Sequence, residues 1–76
     1  MKYAVVNESN HKGCIDGTIT RFETEDEALK YAHDCYGSMA KEDKKNLCTF
    51  EVVAFENEEV FDNFGNYDEM LKDYLE

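Results

Sequence analysis

Leu47-Cys48-Thr49-Phe50-Glu51-Val52-Val53-Ala54-Phe55 is the stretch from which the fold is read. It is rich in β-formers, contains neither Gly nor Pro, and has the length of a strand. Side chains alternate across a strand, so Cys48, Phe50, Val52 and Ala54 share one face, and Thr49, Glu51, Val53 and Phe55 share the other. The first face is a core face and the second is half apolar. Upstream, Ser38 is positioned to cap a short helical piece running to Lys45, with Met39 and Ala40 as its apolar part and Asn46 as its end.

Further toward the N-terminus, Thr24 is followed three residues later by Glu27, a capping box. Glu25, Asp26 and Glu27 place negative charge where a helix dipole favours it. Ala28, Leu29, Ala32, Cys35 and Tyr36 recur at helical spacing, and Gly37 is the expected left-handed stop. Before that helix, Lys2 to Asn7 reads as a strand, Glu8 to Gly13 as a turn, and Ile15 to Phe22 as a second strand, together a hairpin. Gly17 marks either a bulge in that strand or, with Asp16, the turn itself.

Downstream, Asn57-Glu58 separates Phe55 from Val60-Phe61, suggesting a hairpin to a brief edge strand. Asn66 with Glu69 then reads as the start of a last helix, on which Tyr67, Met70, Leu71, Tyr74 and Leu75 form an i, i+3, i+4, i+7, i+8 stripe. The expected architecture is a single α+β domain spanning residues 1–76. It is a small two-layer domain, an antiparallel sheet of three or four strands with helices on one face, in the order ββαβ(β)α.

Size and charge narrow the function classes. A chain of 76 residues buries only about 60% of its unfolded surface, leaving room for one thin core and little for a deep substrate pocket. The formal net charge is −10, and the segment from Glu51 to Glu76 holds nine of the Asp and Glu residues against one cation, Lys72. Phe55, Phe61, Phe64, Tyr67 and Tyr74 are interleaved with those acids, whereas acidic disordered segments are poor in aromatics, so the acid decorates folded structure. A one-signed surface repels nucleic acid and attracts a basic partner. The three cysteines, Cys14, Cys35 and Cys48, fit no disulfide framework and imply free buried thiols in a reducing compartment. The N-terminus has no apolar run of signal-peptide or membrane-span length, so a cytoplasmic protein is expected.

No catalytic constellation emerges, and no enzyme is expected. His11 with Cys14 and His33 with Cys35 offer zinc-ligand types, but residues two apart diverge by about 200° around a helix, so His33 and Cys35 cannot share an ion. Residues 62–69 offer oxygen ligands without the alternating acids and terminal Glu of an EF-hand loop. Neither metal nor cofactor is expected. The carboxylates sit beside turns open to water, which does not raise a pKa for acid-base work.

Two functional classes remain. One is a protein-binding inhibitor that covers a basic, nucleic-acid-handling surface; the other is a non-catalytic structural or regulatory accessory protein whose acidity serves solubility. Glu69, Asp73 and Glu76 would lie about 6 Å apart along the last helix. Duplex DNA carries a charge every 1.7 Å or about that. One row is too sparse to imitate a duplex, so mimicry requires that row, the Glu56 to Asp62 segment and the Glu25 to Glu27 turn on a common face. The partner-binding candidates are Glu56, Glu58, Glu59, Asp62, Glu69 and Asp73, with exposed Phe61 or Phe64 as anchors.

A Lys2-Tyr-Ala-Val-Val strand, a second strand leading into Arg-Phe-Glu-Thr-Glu-Asp-Glu-Ala-Leu-Lys-Tyr-Ala (residues 21–32), a Lys-rich link and a Phe-containing strand follow in order. This resembles small uncharacterised acidic proteins of bacterial phages and mobile elements. The resemblance spans about the first 55 residues, rests on capping and core positions, and carries no catalytic motif. That setting includes anti-CRISPR proteins, to which the chain is similar in size and charge. The resemblance implies inhibition of a CRISPR effector complex through its nucleic-acid surface, without direct nucleic-acid or membrane binding, inside a bacterial host cell.

Overall fold

The computed structural model describes residues 1–59, 61 and 66–75. In chain order it forms β1 (Lys2–His11), β2 (Cys14–Phe22), α1 (Glu25–Ser38), α2 (Lys41–Lys45), β3 (Leu47–Phe55) and β4 (Glu69–Asp73). The four strands make one antiparallel sheet in the order β2-β1-β3-β4. The α+β class therefore holds, with α1 packed across one face of the sheet.

β1 and β2 close on Lys12-Gly13, whose φ values of 54° and 88° are both positive. Such a pair matches the twist of the flanking strands, and Gly13 adopts it without a Cβ clash. The Asn10 side chain accepts the Gly13 N–H at 3.0 Å. The turn is thus much shorter than the Glu8 to Gly13 span expected from polarity. Glu8, Ser9 and Asn10 are drawn into the strand because neighbours on both sides use their backbone: Ser9 pairs with Asp16 on β2 and with Leu47 on β3. Gly17 is neither turn nor bulge in that hairpin but pairs in register with Glu8. The irregularity falls between Glu8 and Ser9 in the pairing with β3.

The start of α1 follows its capping signal. Thr24 is the N-cap: its Oγ1 accepts the Glu27 N–H at 3.2 Å, and its hydroxyl donates to the Glu27 carboxylate at 2.9 Å. Ala28 and Ala32 are fully buried, and Leu29, Cys35 and Tyr36 pack beside them. Gly37 does not stop the helix; it is not among the residues with positive φ, and α1 runs to Ser38. There the Ser38 hydroxyl donates back to the Asp34 and Cys35 carbonyls at 2.8 and 3.3 Å, and Met39 turns extended. Ser38 consequently belongs to α1 and does not cap α2. Ala40 holds that position without a side-chain bond and is itself exposed, while Met39 packs on the core and Asn46 ends the helix as expected.

β3 has the bounds read from sequence, but both its faces are buried from Phe50 to Phe55. On the helix side Phe50 and Val52 join Val5, Ala28 and Ala32. On the other side Val53 and Phe55 join Ala4, Val6 and Phe61, with Ile19 and Tyr67 against them. Phe61 stacks on Phe55 at a centroid distance of 4.0 Å. The segment after β3 supplies this cover, so the half-apolar face is a second core surface.

That segment does not form the expected edge strand at Phe61, and Val60 lies outside the described residues. The Asn57 side chain accepts the Glu59 N–H at 2.9 Å and the Asn57 carbonyl accepts the Phe61 N–H at 3.1 Å, winding the chain back over the sheet. The larger correction is at the C-terminus. The expected last helix is β4, and Asn66 precedes no helix among the described residues. The reason is backbone satisfaction: without β4, the outer edge of a buried β3 would leave polar groups unpaired. The Asp68 and Tyr74 N–H groups bond the Ala54 and Phe50 carbonyls, both at 2.9 Å. Leu71 and Tyr74 still reach the helix-side core, because the register shifts within β4 at Val52/Val53 and turns Leu71 inward.

Candidate acidic interaction surface

Strand pairing sets which acids meet. Lys2 pairs with Phe55, Tyr3 with Phe22, and Ala54 with Glu69, so the start of β1, the ends of β2 and β3, and the start of β4 lie at one end of the sheet. Each chain crossing there carries carboxylates: Glu23 to Glu27 enter α1, Glu56, Glu58 and Glu59 leave β3, and Asp68 with Glu69 enter β4. All of these are exposed.

The groups are close enough to form a continuous surface. Glu58 takes Lys2 at 3.1 Å and Arg21 at 3.6 Å, and a shallow groove is lined by Lys2, Arg21, Phe22, Glu23, Glu27 and Glu58. The Lys2 pKa is raised, first by its bond to Glu58, then by the charges of Glu58 and Glu23. The Arg21 guanidinium also stands 5.4 Å from the Phe61 ring centre and approaches the Phe61 carbonyl at 3.4 Å. Glu56 and Glu59 keep their carboxylates in water while their backbone N–H groups bond Asp68 and Asn57.

The opposite end is different. The hairpin tip reaches α2 through the Asn10 N–H on the Asn46 carbonyl at 2.8 Å, with His11 3.4 Å from the Asn46 amide nitrogen. Lys41, Lys44 and Lys45 lie on α2 at this end, together with Glu42 and Asp43, and Lys44 lies 4.5 Å from the Tyr36 ring centre.

Several sequence candidates change standing. Phe61 is 1% exposed and cannot be a surface anchor, because its ring completes the second core face. Asp62 and Phe64 lie outside the described residues. Glu69 and Asp73 do not form a row: the shift within β4 pairs Glu69 with Ala54 and Asp73 with Glu51, which belong to opposite faces. A bulge has this effect because one extra residue reverses side-chain parity. Asp73 instead meets Glu51 and Glu8 on the face away from α1. Glu51 is 9% exposed, and its pKa is raised by burial first, then by the charges of Asp73 and Glu8. Thr49 donates to Glu8 at 3.0 Å within the same group. Sequence reasoning missed Glu23 and Asp68 at the acidic end, since neither looks distinctive until strand pairing brings them together.

No group of three or more His, Cys, Asp or Glu among the described residues is arranged to hold a metal ion. The cysteines are free, but Cys14 and Cys48 are exposed rather than buried, because each lies near the start of its strand beyond the cover of α1. No helix among the described residues is long and apolar enough to cross a membrane. Compared with protein-family models, curated proteins and solved structures, the chain matches none.

Proposed function

We propose that the protein is a non-catalytic inhibitor of the anti-CRISPR kind, from a phage or mobile element. Its acidic end occupies a basic, nucleic-acid-handling surface of a partner in the bacterial cytoplasm. The observation that carries this reading is the convergence of the Glu23 to Glu27 turn, the Glu56 to Glu59 turn and Asp68-Glu69 at one end of the sheet, with the lysines of α2 at the other. The α1 dipole favours Glu25, Asp26 and Glu27, but it gives no reason to set Glu56, Glu59 and Glu69 at the same end, since neighbouring carboxylates repel. A cationic cleft gives one: such a surface steers encounter and fits where phosphates otherwise lie. Glu58, shared by Lys2 and Arg21, is available for exchange onto a partner arginine because that pairing is largely exposed. Arginine's planar fork holds a carboxylate through two bonds.

The reading is tested with a purified CRISPR effector complex and its target DNA. Wild-type protein should reduce DNA binding, less so as salt rises. Glu25→Lys, Glu56→Lys and Glu59→Lys together should abolish inhibition while the circular dichroism spectrum and a cooperative melt are retained, since exposed sites each change stability by about 0.5 kcal/mol or less and Glu25 adds only its favourable place in the first turn of α1. Lys41→Glu with Lys45→Glu should leave inhibition intact. Loss of inhibition in the lysine variant with retention in the acidic one would place the functional surface on α2 and sink the proposal.

A further inference from the structure

The two edges of the sheet are unlike. β4 is short, bulged and charged, carrying Glu69, Lys72 and Asp73 over its five residues. These are devices that discourage another strand from adding. β2 is neither short nor bulged, and its two charges, Asp16 and Arg21, are of opposite sign. It is nine residues long, pairs with β1 without a register shift, contains no Pro or Lys, and leaves Ile15 62% exposed.

The two-residue turn fixes which backbone groups of β2 are unused. His11 and Cys14 flank it and form a hydrogen-bonded pair, so bonding to β1 alternates from there through Asp16, Thr18, Thr20 and Phe22. The N–H and C=O groups of Ile15, Gly17, Ile19 and Arg21 point outward along about 20 Å of edge.

We propose that β2 is a homodimer interface, at which β2 of a second copy adds antiparallel across a two-fold axis at Thr18 to make a continuous eight-stranded sheet. Three observations select this occupant. In the register that overlaps all of β2, Ile15 meets Arg21 of the other copy and Gly17 meets its Ile19. The outward backbone groups therefore face one another without a slip. In the same register Thr18 lies opposite Thr18 and Asp16 opposite Thr20, pairs that hydrogen-bond across a sheet, while Gly17 leaves room beside the opposing Ile19. Charge also agrees. The chain carries −10, but β2 holds one Asp and one Arg, so it is the strip along which two copies approach without opposing carboxylates. The dimer directs its two acidic ends away from each other, which makes it independent of the function proposed above.

One strand pair is a small interface, so micromolar association is expected, strengthening with salt as the repulsion between acidic bodies is screened. Sedimentation of the full chain from micromolar to millimolar concentration, in low and high salt, should show a monomer-dimer equilibrium. Thr18→Lys, which sets two cations directly opposite, should return it to monomer with an unchanged circular dichroism spectrum. Register is read by disulfide trapping with Cys14, Cys35 and Cys48 replaced by Ser. Thr18→Cys places the thiols on Cα atoms about 4.5 Å apart and should cross-link on oxidation. Thr20→Cys places them about 13 Å apart and should not. A monomer at every concentration, a dimer unaffected by Thr18→Lys, or equal cross-linking at the two positions would overturn the proposal. If Thr18→Lys does not fold, the trapping pair still decides.

Discussion

Phe50 and Glu51 are neighbours on β3 with opposite energetic roles. Phe50 is 1% exposed and meets Tyr36 and Tyr74 edge-on at 5.5 and 5.2 Å, joining α1, β3 and the chain after β4. Truncating a buried Phe costs about 3 to 5 kcal/mol. Stability in so small a domain is of that order, so Phe50→Ala should abolish a cooperative thermal melt. Glu51 faces the other way, and its folded pKa lies above the ordinary 4.5. The folded state then holds its proton to higher pH than the unfolded state does. The resulting contribution favours folding fully below the ordinary pKa and is lost as pH rises through the folded one. Glu51→Gln should accordingly raise Tm at pH 7, with the gain shrinking as pH falls toward 4.5. An equal gain at both pH values would show that Glu51 ionisation is not the cause.

Two elements show how far local signals reach. α1 starts where Thr24 and Glu27 say it does, because a cap bonds groups three residues apart and needs nothing from the rest of the chain. Thr24→Ala should lower stability by about 1 kcal/mol in denaturant titration, the usual effect of losing an N-cap. β4 is the converse. Its helical stripe is genuine as a pattern, yet the open edge of β3 recruits the segment as a strand. Hydrogen exchange tests this: the Phe50, Val52 and Ala54 amides, on the β4 side of β3, should be as protected as those of Glu51 and Val53, which face β1. Fast exchange confined to the first set would mean that β4 does not pair.

Across the whole molecule, antiparallel pairing sorts a uniformly acidic composition into two unlike ends. Carboxylates from three separate connections gather where β1 begins and β3 ends, whereas α2, beside the hairpin tip, balances Glu42 and Asp43 with Lys41, Lys44 and Lys45. The association rate with a basic partner should fall steeply with ionic strength in stopped-flow measurement, because steering by such an end is screened over about 10 Å at 0.1 M salt. A salt-independent rate would mean that the acidic end takes no part in encounter.

The strands β1 to β3 and the helix α1 are legible in the chain because their determinants are local: the alternation of Leu47 to Phe55, the cap at Thr24, the helical spacing of Ala28 to Tyr36. The acidic character of the protein is equally a property of composition. Tertiary structure decided what depends on partners distant in sequence. It made β4 a strand to satisfy the edge of β3, folded Phe61 onto Phe55 and so removed it from the surface, and sent Glu69 and Asp73 to opposite faces through one inserted residue. It also brought Glu23 and Asp68 to the end that Glu58 occupies, because side-chain position across a sheet is set by register, and register is a relation between strands that neither strand encodes alone.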